Sequence, residues 1–215
     1  MTNFIPVFPL NIVVYPGEAL NLHIFEQRYI QMIQDCIRDK KSFGLPPVLE
    51  KSMNGELGTL MEITELVKTH DDGTLDIRTR GVSVFRILER IDSIPEKLYS
   101  GAIVNYPENV SDPGNSQLSK ALVEEVRRLF SLLKDSEHFP EVKEEMSAYE
   151  LAHLIGLNQE QEYELLGLFK EIHRLEYIRR HLANVVPVVQ ELEKAKQRIR
   201  HNGHFRDLSL GDFGL

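Results

Sequence analysis

One cysteine, Cys36, stands among 215 residues, so no internal disulfide can form and no zinc site built from several thiolates is possible. The scarcity fits a reducing compartment, and the lone thiol is expected to pack as a small apolar side chain. Long apolar runs are missing too. The longest are strand-sized, short of the roughly 20 residues that a membrane-spanning helix needs. The N-terminus MTNFIPVFPL carries no basic segment followed by an apolar core and a cleavage site, so the expected location is the cytoplasm. Without a secretory signal, the acceptor pattern Asn109-Val110-Ser111 carries no meaning for glycosylation. Positive charge is short as well: 25 Lys and Arg stand against 33 Asp and Glu, a net charge of −8. Such a field repels phosphate backbones, and nucleic acid would need a locally basic patch to overcome it.

Catalytic signatures are equally scarce. No Gly-rich loop ends in Lys-Ser/Thr and no strand-linked G-x-G-x-x-G occurs, so ATP hydrolysis has no visible phosphate cradle. Ser119-Lys120 are sequence neighbours without the context of a serine–lysine dyad, and no G-x-S-x-G elbow is found. The fragments 204–208 (HFRDL) and 212–214 (DFG) imitate a kinase catalytic loop and metal-binding triplet, but they lie at the extreme C-terminus with no lobe around them. His201 and His204 have a spacing that two metal ligands could share, with His173 and His181 before them, yet no H-E-x-x-H completes a set. We expect no catalytic, cofactor-binding or metal site and no cofactor, and we read the chain as a non-enzyme.

What is present begins with turn punctuation. Pro6, Pro9, Pro16-Gly17, Pro46-Pro47, Asn54-Gly55, Asp72-Gly73 and Gly81 separate short apolar segments in the first half, which predicts strands. Residues 57–68, 74–80 and 82–91 carry rough period-two alternation, with Asp71-Asp72-Gly73 as a hairpin turn, so Leu75 and Ile77 face one side and Asp76 and Arg78 the other. One helix, 26–38, interrupts the strands, with Tyr29, Ile30, Ile33 and Ile37 on one face, and is expected to plug an end of the sheet or barrel. The segment 107–117, rich in Pro, Gly, Asn and Ser, reads as a linker.

Beyond it the period becomes helical. Leu118, Leu122, Val126, Leu129 and Leu133 mark one face; Ser147 and Asn158, the latter followed by Gln161, are expected helix caps. The last helix is the longest, with Leu175, Ile178, Leu182, Val185, Val189, Leu192 and Ile199 on three- and four-residue steps and Pro187 expected to bend it. That stripe reads either as the seam of an intramolecular bundle or as an oligomerising coiled coil. Lys194, Lys196, Arg198, Arg200, His201 and Arg206 form the only basic cluster, which is also what a helix C-terminus favours.

The segment 5–29, IPVFPLNIVVYPGEALNLHIFEQRY, resembles the opening of the Lon protease N-terminal (substrate-binding) domain family: a Pro-Leu strand, a Pro-Gly turn, then Leu-x-Ile-Phe-Glu-x-Arg-Tyr. The resemblance continues through Phe43-Gly44, Gly58-Thr59, Asp72-Gly73 and 81–85, and more loosely through 151–157 and 165–182. It implies an α+β chain: a PUA-like β-barrel with one inserted helix at 1–108, then an α-helical bundle at 117–201 ending in a long helix, and a C-terminal tail at 202–215. The tail's apolar residues, such as Phe205, Phe213 and Leu215, are expected to dock onto the chain itself. Phe25, Glu26, Arg28 and Tyr29 are expected to be structural, with Glu26 at the helix start and paired with Arg28.

The resemblance also implies a domain-only member that lacks the ATPase and peptidase modules. The function expected is non-catalytic recognition of other proteins or unfolded polypeptides, as a substrate-recognition factor or adaptor related to proteolysis and protein quality control, beside a separate ATPase or protease. The alternative is RNA binding through the basic end of the last helix, since PUA-like barrels in other families bind RNA.

Overall fold

The computed structural model describes residues 2–49, 55–110, 116–133 and 139–207, with side chains placed for 3–49, 55–110, 117–133 and 139–199. Its contacts divide the chain into two units, Met1–Ser111 with Leu157–Lys170, and Asp112–Gly156 with Glu171–Leu215. Sequence placed 157–170 in a continuous helical bundle at 117–201; it returns instead to the strand-rich unit. The reason is local. There the Leu57 backbone N–H donates to the Tyr163 hydroxyl at 3.0 Å, the Tyr15 hydroxyl donates to the Glu162 carbonyl at 3.2 Å, and the Val110 N–H donates to the Phe169 carbonyl at 2.8 Å.

The strand-rich unit holds β1 (Thr2–Pro6), β2 (Ala19–Ile24), α1 (Gln27–Asp39), β3 (Phe43–Leu45), β4 (Leu57–Thr69), β5 (Leu75–Ile91) and β6 (Gly101–Asn105). The strands form one antiparallel sheet in the order β1-β6-β5-β4-β3, with β2 also on β5. Just past β1 the chain bridges back to the β3 region, Val7 to Gly44 and Leu10 to Pro47, which closes the sheet into a barrel. β5 is the spine: β2 pairs with its first part, Leu75 to Arg80, and β6 with its last part, Arg86 to Ile91.

The two strands read at 74–80 and 82–91 are in fact one. Gly81 looked like punctuation, but it marks a close approach. A Cβ there would lie 2.3 Å from the Tyr15 carbonyl oxygen, and its N–H and C=O bond Glu18 and Gly17 at 2.8 Å each. Leu75 and Ile77 are buried while Arg78 is exposed, as the alternation predicts.

α1 does plug the barrel. Tyr29, Ile30, Met32, Ile33 and Cys36 pack with Phe8, Ile24, Phe43, Met61, Leu75 and Ile77 in one core, while Ile5, Val7, Phe85, Ala102 and Val104 form a second. α4 (Gln159–Leu166) completes this unit, opened by a capping box of Asn158 and Gln161.

The other unit holds α2 (Ser116–Leu132), α3 (Ala148–Ala152), capped by Ser147 and Glu150, and α5 (Glu171–Asp207). Leu122, Val126 and Leu129 of α2 are buried with Leu151 and Ile155, as are Leu175, Ile178, Leu182 and Val186 of α5. The α5 stripe is thus an internal seam only in its first half, since Leu192 is 52% and Ile199 72% exposed. α5 runs on through Pro187 as far as Asp207. The docking expected of the tail falls outside the described residues.

Candidate functional site

Within the strand-rich unit the C-terminal end of α1 turns sharply. Lys40 takes a left-handed conformation (φ 53°), and its N–H and that of Lys41 bond back to Ile37 and Cys36 at 3.3 and 2.9 Å. The chain then enters β3, which is only three residues long and reaches β4 no further than Met61. Over residues 62–69, β4 therefore pairs on one side alone, with β5, among the described residues. Bulges between Ile63 and Glu65 and between Leu66 and Lys68 interrupt that pairing, as is common at strand edges.

A groove of about 410 Å³ runs between this edge and the turn after α1. Ile37, Ile63 and Leu66 make its apolar lining; Lys40 and Lys41 bring positive charge and Glu62 and Glu65 negative charge. Leu66 is 44% exposed, and Glu65 is held at 2.5 Å by Arg78 of β5. Main-chain donors and acceptors, apolar contacts and charges of both signs are thereby presented together, which is the chemistry an extended polypeptide requires.

The α1 side of the groove is anchored from within. The Asp35 carboxylate accepts hydrogen bonds from Lys97 Nζ at 2.7 Å and the Tyr99 hydroxyl at 2.9 Å, and pairs with Arg38 at 2.7 Å. Burial alone would raise its pKa, but those three donors and the Arg38 charge outweigh burial and hold it below the usual carboxylate value. Burial first, then the charges of Asp35 and Asp39, push the Cys36 thiol up to about 12, so it stays protonated and unreactive near neutral pH.

A second cluster lies where β2, β4 and β5 meet. His23 Nδ1 is 2.6 Å from one oxygen of Asp76 and His70 Nε2 is 2.7 Å from the other. Those hydrogen bonds, from His23 first and then His70, lower the Asp76 pKa. Sequence reasoning missed this cluster, because its residues come from three segments and match no motif.

The residues singled out in sequence fare differently. Arg28 pairs with Glu26 at 2.7 Å, as expected, and lies over the Tyr29 ring at 4.6 Å. Phe25 does not join the core: it is 65% exposed, stacked beside His23 at 6.3 Å between ring centres. Ser119 donates to the Met146 carbonyl at 2.7 Å while Lys120 lies 3.3 Å from Glu145, so the two are engaged separately. His181 bonds the Ile155 carbonyl at 3.0 Å and His173 is exposed, whereas the side chains of His201 and His204 lie outside the described residues. In the basic cluster Lys194 and Lys196 pair with Glu191 and Glu193 at 2.9 and 2.7 Å, which offsets those two charges; Arg200, His201 and Arg206 lie outside the described side chains.

Among the described residues, no helix is long and apolar enough to cross a membrane. A family profile described as "ATP-dependent protease La (LON) substrate-binding domain" matches residues 5–191. Lon protease 2 of Myxococcus xanthus is 29% identical over 101 residues, and the Lon protease of Anaeromyxobacter dehalogenans (strain 2CP-C) is 28% identical over 101 residues. Each match covers 42% of this chain and only 12% of the relative's length. Among solved structures, a Lon N-terminal domain protein from Xanthomonas campestris superposes with a TM-score of 0.64 at 26% identity, covering 83% of this chain and 98% of that one. The N-terminal domain of the Mycobacterium avium complex Lon protease gives 0.56 at 16% identity over 84% and 98%, a likeness of fold.

Proposed function

Because the chain belongs to the Lon substrate-binding domain family, we propose that it is a non-catalytic protein-binding module that takes extended polypeptide segments along the unpaired edge of β4. The family match supports a protein-binding role connected with proteolysis, and the profile describes the substrate-binding part of Lon rather than its peptidase. The observation that carries the finer reading is the coincidence of the one-sided strand at residues 62–69 with the groove beside Ile37, Lys40 and Lys41. Strand addition draws affinity from main-chain hydrogen bonds, which any sequence can supply, and selectivity from pockets for alternate side chains. A module of that kind accepts many clients, as a recognition factor for a separate ATPase or protease must.

RNA binding through the end of α5 draws less support, since Lys194 and Lys196 are paired with glutamates in a chain of net charge −8. A fluorescence titration of the whole chain with a permanently unfolded polypeptide tests the reading. Leu66→Glu and the double substitution Lys40→Glu/Lys41→Glu, all exposed positions, are expected to weaken binding on the order of tenfold. Unchanged affinity in both variants would rule out the groove, and no binding by the unsubstituted chain would rule out the function.

A further inference from the structure

We infer that His23, His70 and Asp76 form a binding site for a divalent transition metal of the zinc class. Each residue offers one ligand atom, two imidazole nitrogens and a carboxylate oxygen, and these atoms all lie within 4.8 Å of one another. That N/N/O set is one that Zn²⁺ accepts, with a water completing four-coordination.

The backbone fixes the arrangement in advance. His23 on β2 and Asp76 on β5 are direct cross-strand partners. His70 sits at the neck of the β4–β5 hairpin, where its N–H bonds the Thr74 carbonyl at 2.9 Å and its carbonyl accepts from the Gly73 N–H at 3.0 Å. The two rings meet edge-to-face with centres 5.7 Å apart, and each points a nitrogen at Asp76. A cation about 2.0–2.1 Å from each ligand needs nitrogen and oxygen about 3.3 Å apart in tetrahedral geometry. The present contacts, 2.6 Å to one oxygen of Asp76 and 2.7 Å to the other, would have to lengthen by about 0.6–0.7 Å to admit the ion.

The side chains are also reachable: His23 is about half exposed, and His70 and Asp76 about a third. An open site of three ligands exchanges its metal with solvent and leaves a position for water or a ligand from outside. A bound ion would tie β2 to the β4–β5 hairpin beside Phe25. The site shares no residue with the groove, so its failure would leave the polypeptide-binding reading untouched.

The test is a calorimetric titration of the whole chain with Zn²⁺, read together with the thermal midpoint. One ion per chain is expected to bind and raise the midpoint. His70→Ala and Asp76→Asn should each weaken binding by about tenfold or more and abolish the rise. The double substitution His201→Ala/His204→Ala should change neither. No binding, or binding lost in the His201/His204 variant and kept in His70→Ala, would overturn the site.

Discussion

Arg174 is 0% exposed, yet it carries a full charge. Its guanidinium meets Glu171 at 2.8 Å and lies 4.4 Å from the centre of the Tyr149 ring, while the other oxygen of Glu171 accepts the Ala148 N–H at 2.7 Å and so caps α3. Removing one partner of a buried pair strands the other charge away from water. Arg174→Ala should therefore cost about 3–5 kcal/mol, measured as a fall in the urea midpoint. Arg28→Ala breaks a half-exposed pair and should cost under about 1 kcal/mol. Asp35 adds a pH signature. Its folded pKa is lowered, so its stabilising contribution is present above the unfolded value of about 3.9 and is lost as the pH falls through the folded value. Asp35→Asn should be less stable than the unsubstituted chain at pH 7, with the gap closing below about pH 4 in denaturant titrations. The Glu26–Arg28 pair was legible in sequence, but the roles of Arg174 and Asp35 were not. In 171–181, EIHRLEYIRRH, Arg174 is one charge among several, and only packing decides which of them is sealed in. His23, His70 and Asp76 were hidden for the same reason, since strand pairing brings them together and spacing does not.

At the scale of elements, periodicity carried most of the reading. The β4–β5 hairpin, the caps at Ser147 and Asn158 and most of the α1 face follow from local rules, but Ile37, expected on the buried face with Tyr29, Ile30 and Ile33, is 39% exposed and lines the groove instead. Gly81 shows where such rules stop, because a glycine that breaks a strand and one that lets another backbone pass are identical in sequence. The α5 stripe shows a second limit: its spacing is regular, but only the portion near α2 and α3 is covered. Leu182→Ala should cost about 2–5 kcal/mol and Leu192→Ala within about 0.5 kcal/mol by chemical denaturation. Equal costs would mean that the exposed half of α5 is buried in solution by another copy or by a partner. The unpaired edge of β4 was invisible as well, because it depends on β3 ending after three residues.

For the whole molecule, a linear domain boundary is too simple. The chain leaves the strand-rich unit after Ser111, builds part of the helical unit, and comes back for 157–170 before α5. Composition marks the first departure through its Pro, Gly, Asn and Ser, but the return is anchored by single hydrogen bonds of Tyr15, Tyr163 and Val110 that no pattern announces. To a partner this frame offers a strand edge left unpaired among the described residues, beside a mixed-charge groove. Amide hydrogen exchange along β4, with and without saturating unfolded polypeptide, tests that role most directly. Exchange within residues 62–69 should slow on binding, with residues 57–61, already paired on both sides over much of that stretch, nearly unchanged. Binding that leaves residues 62–69 exchanging as before would contradict it.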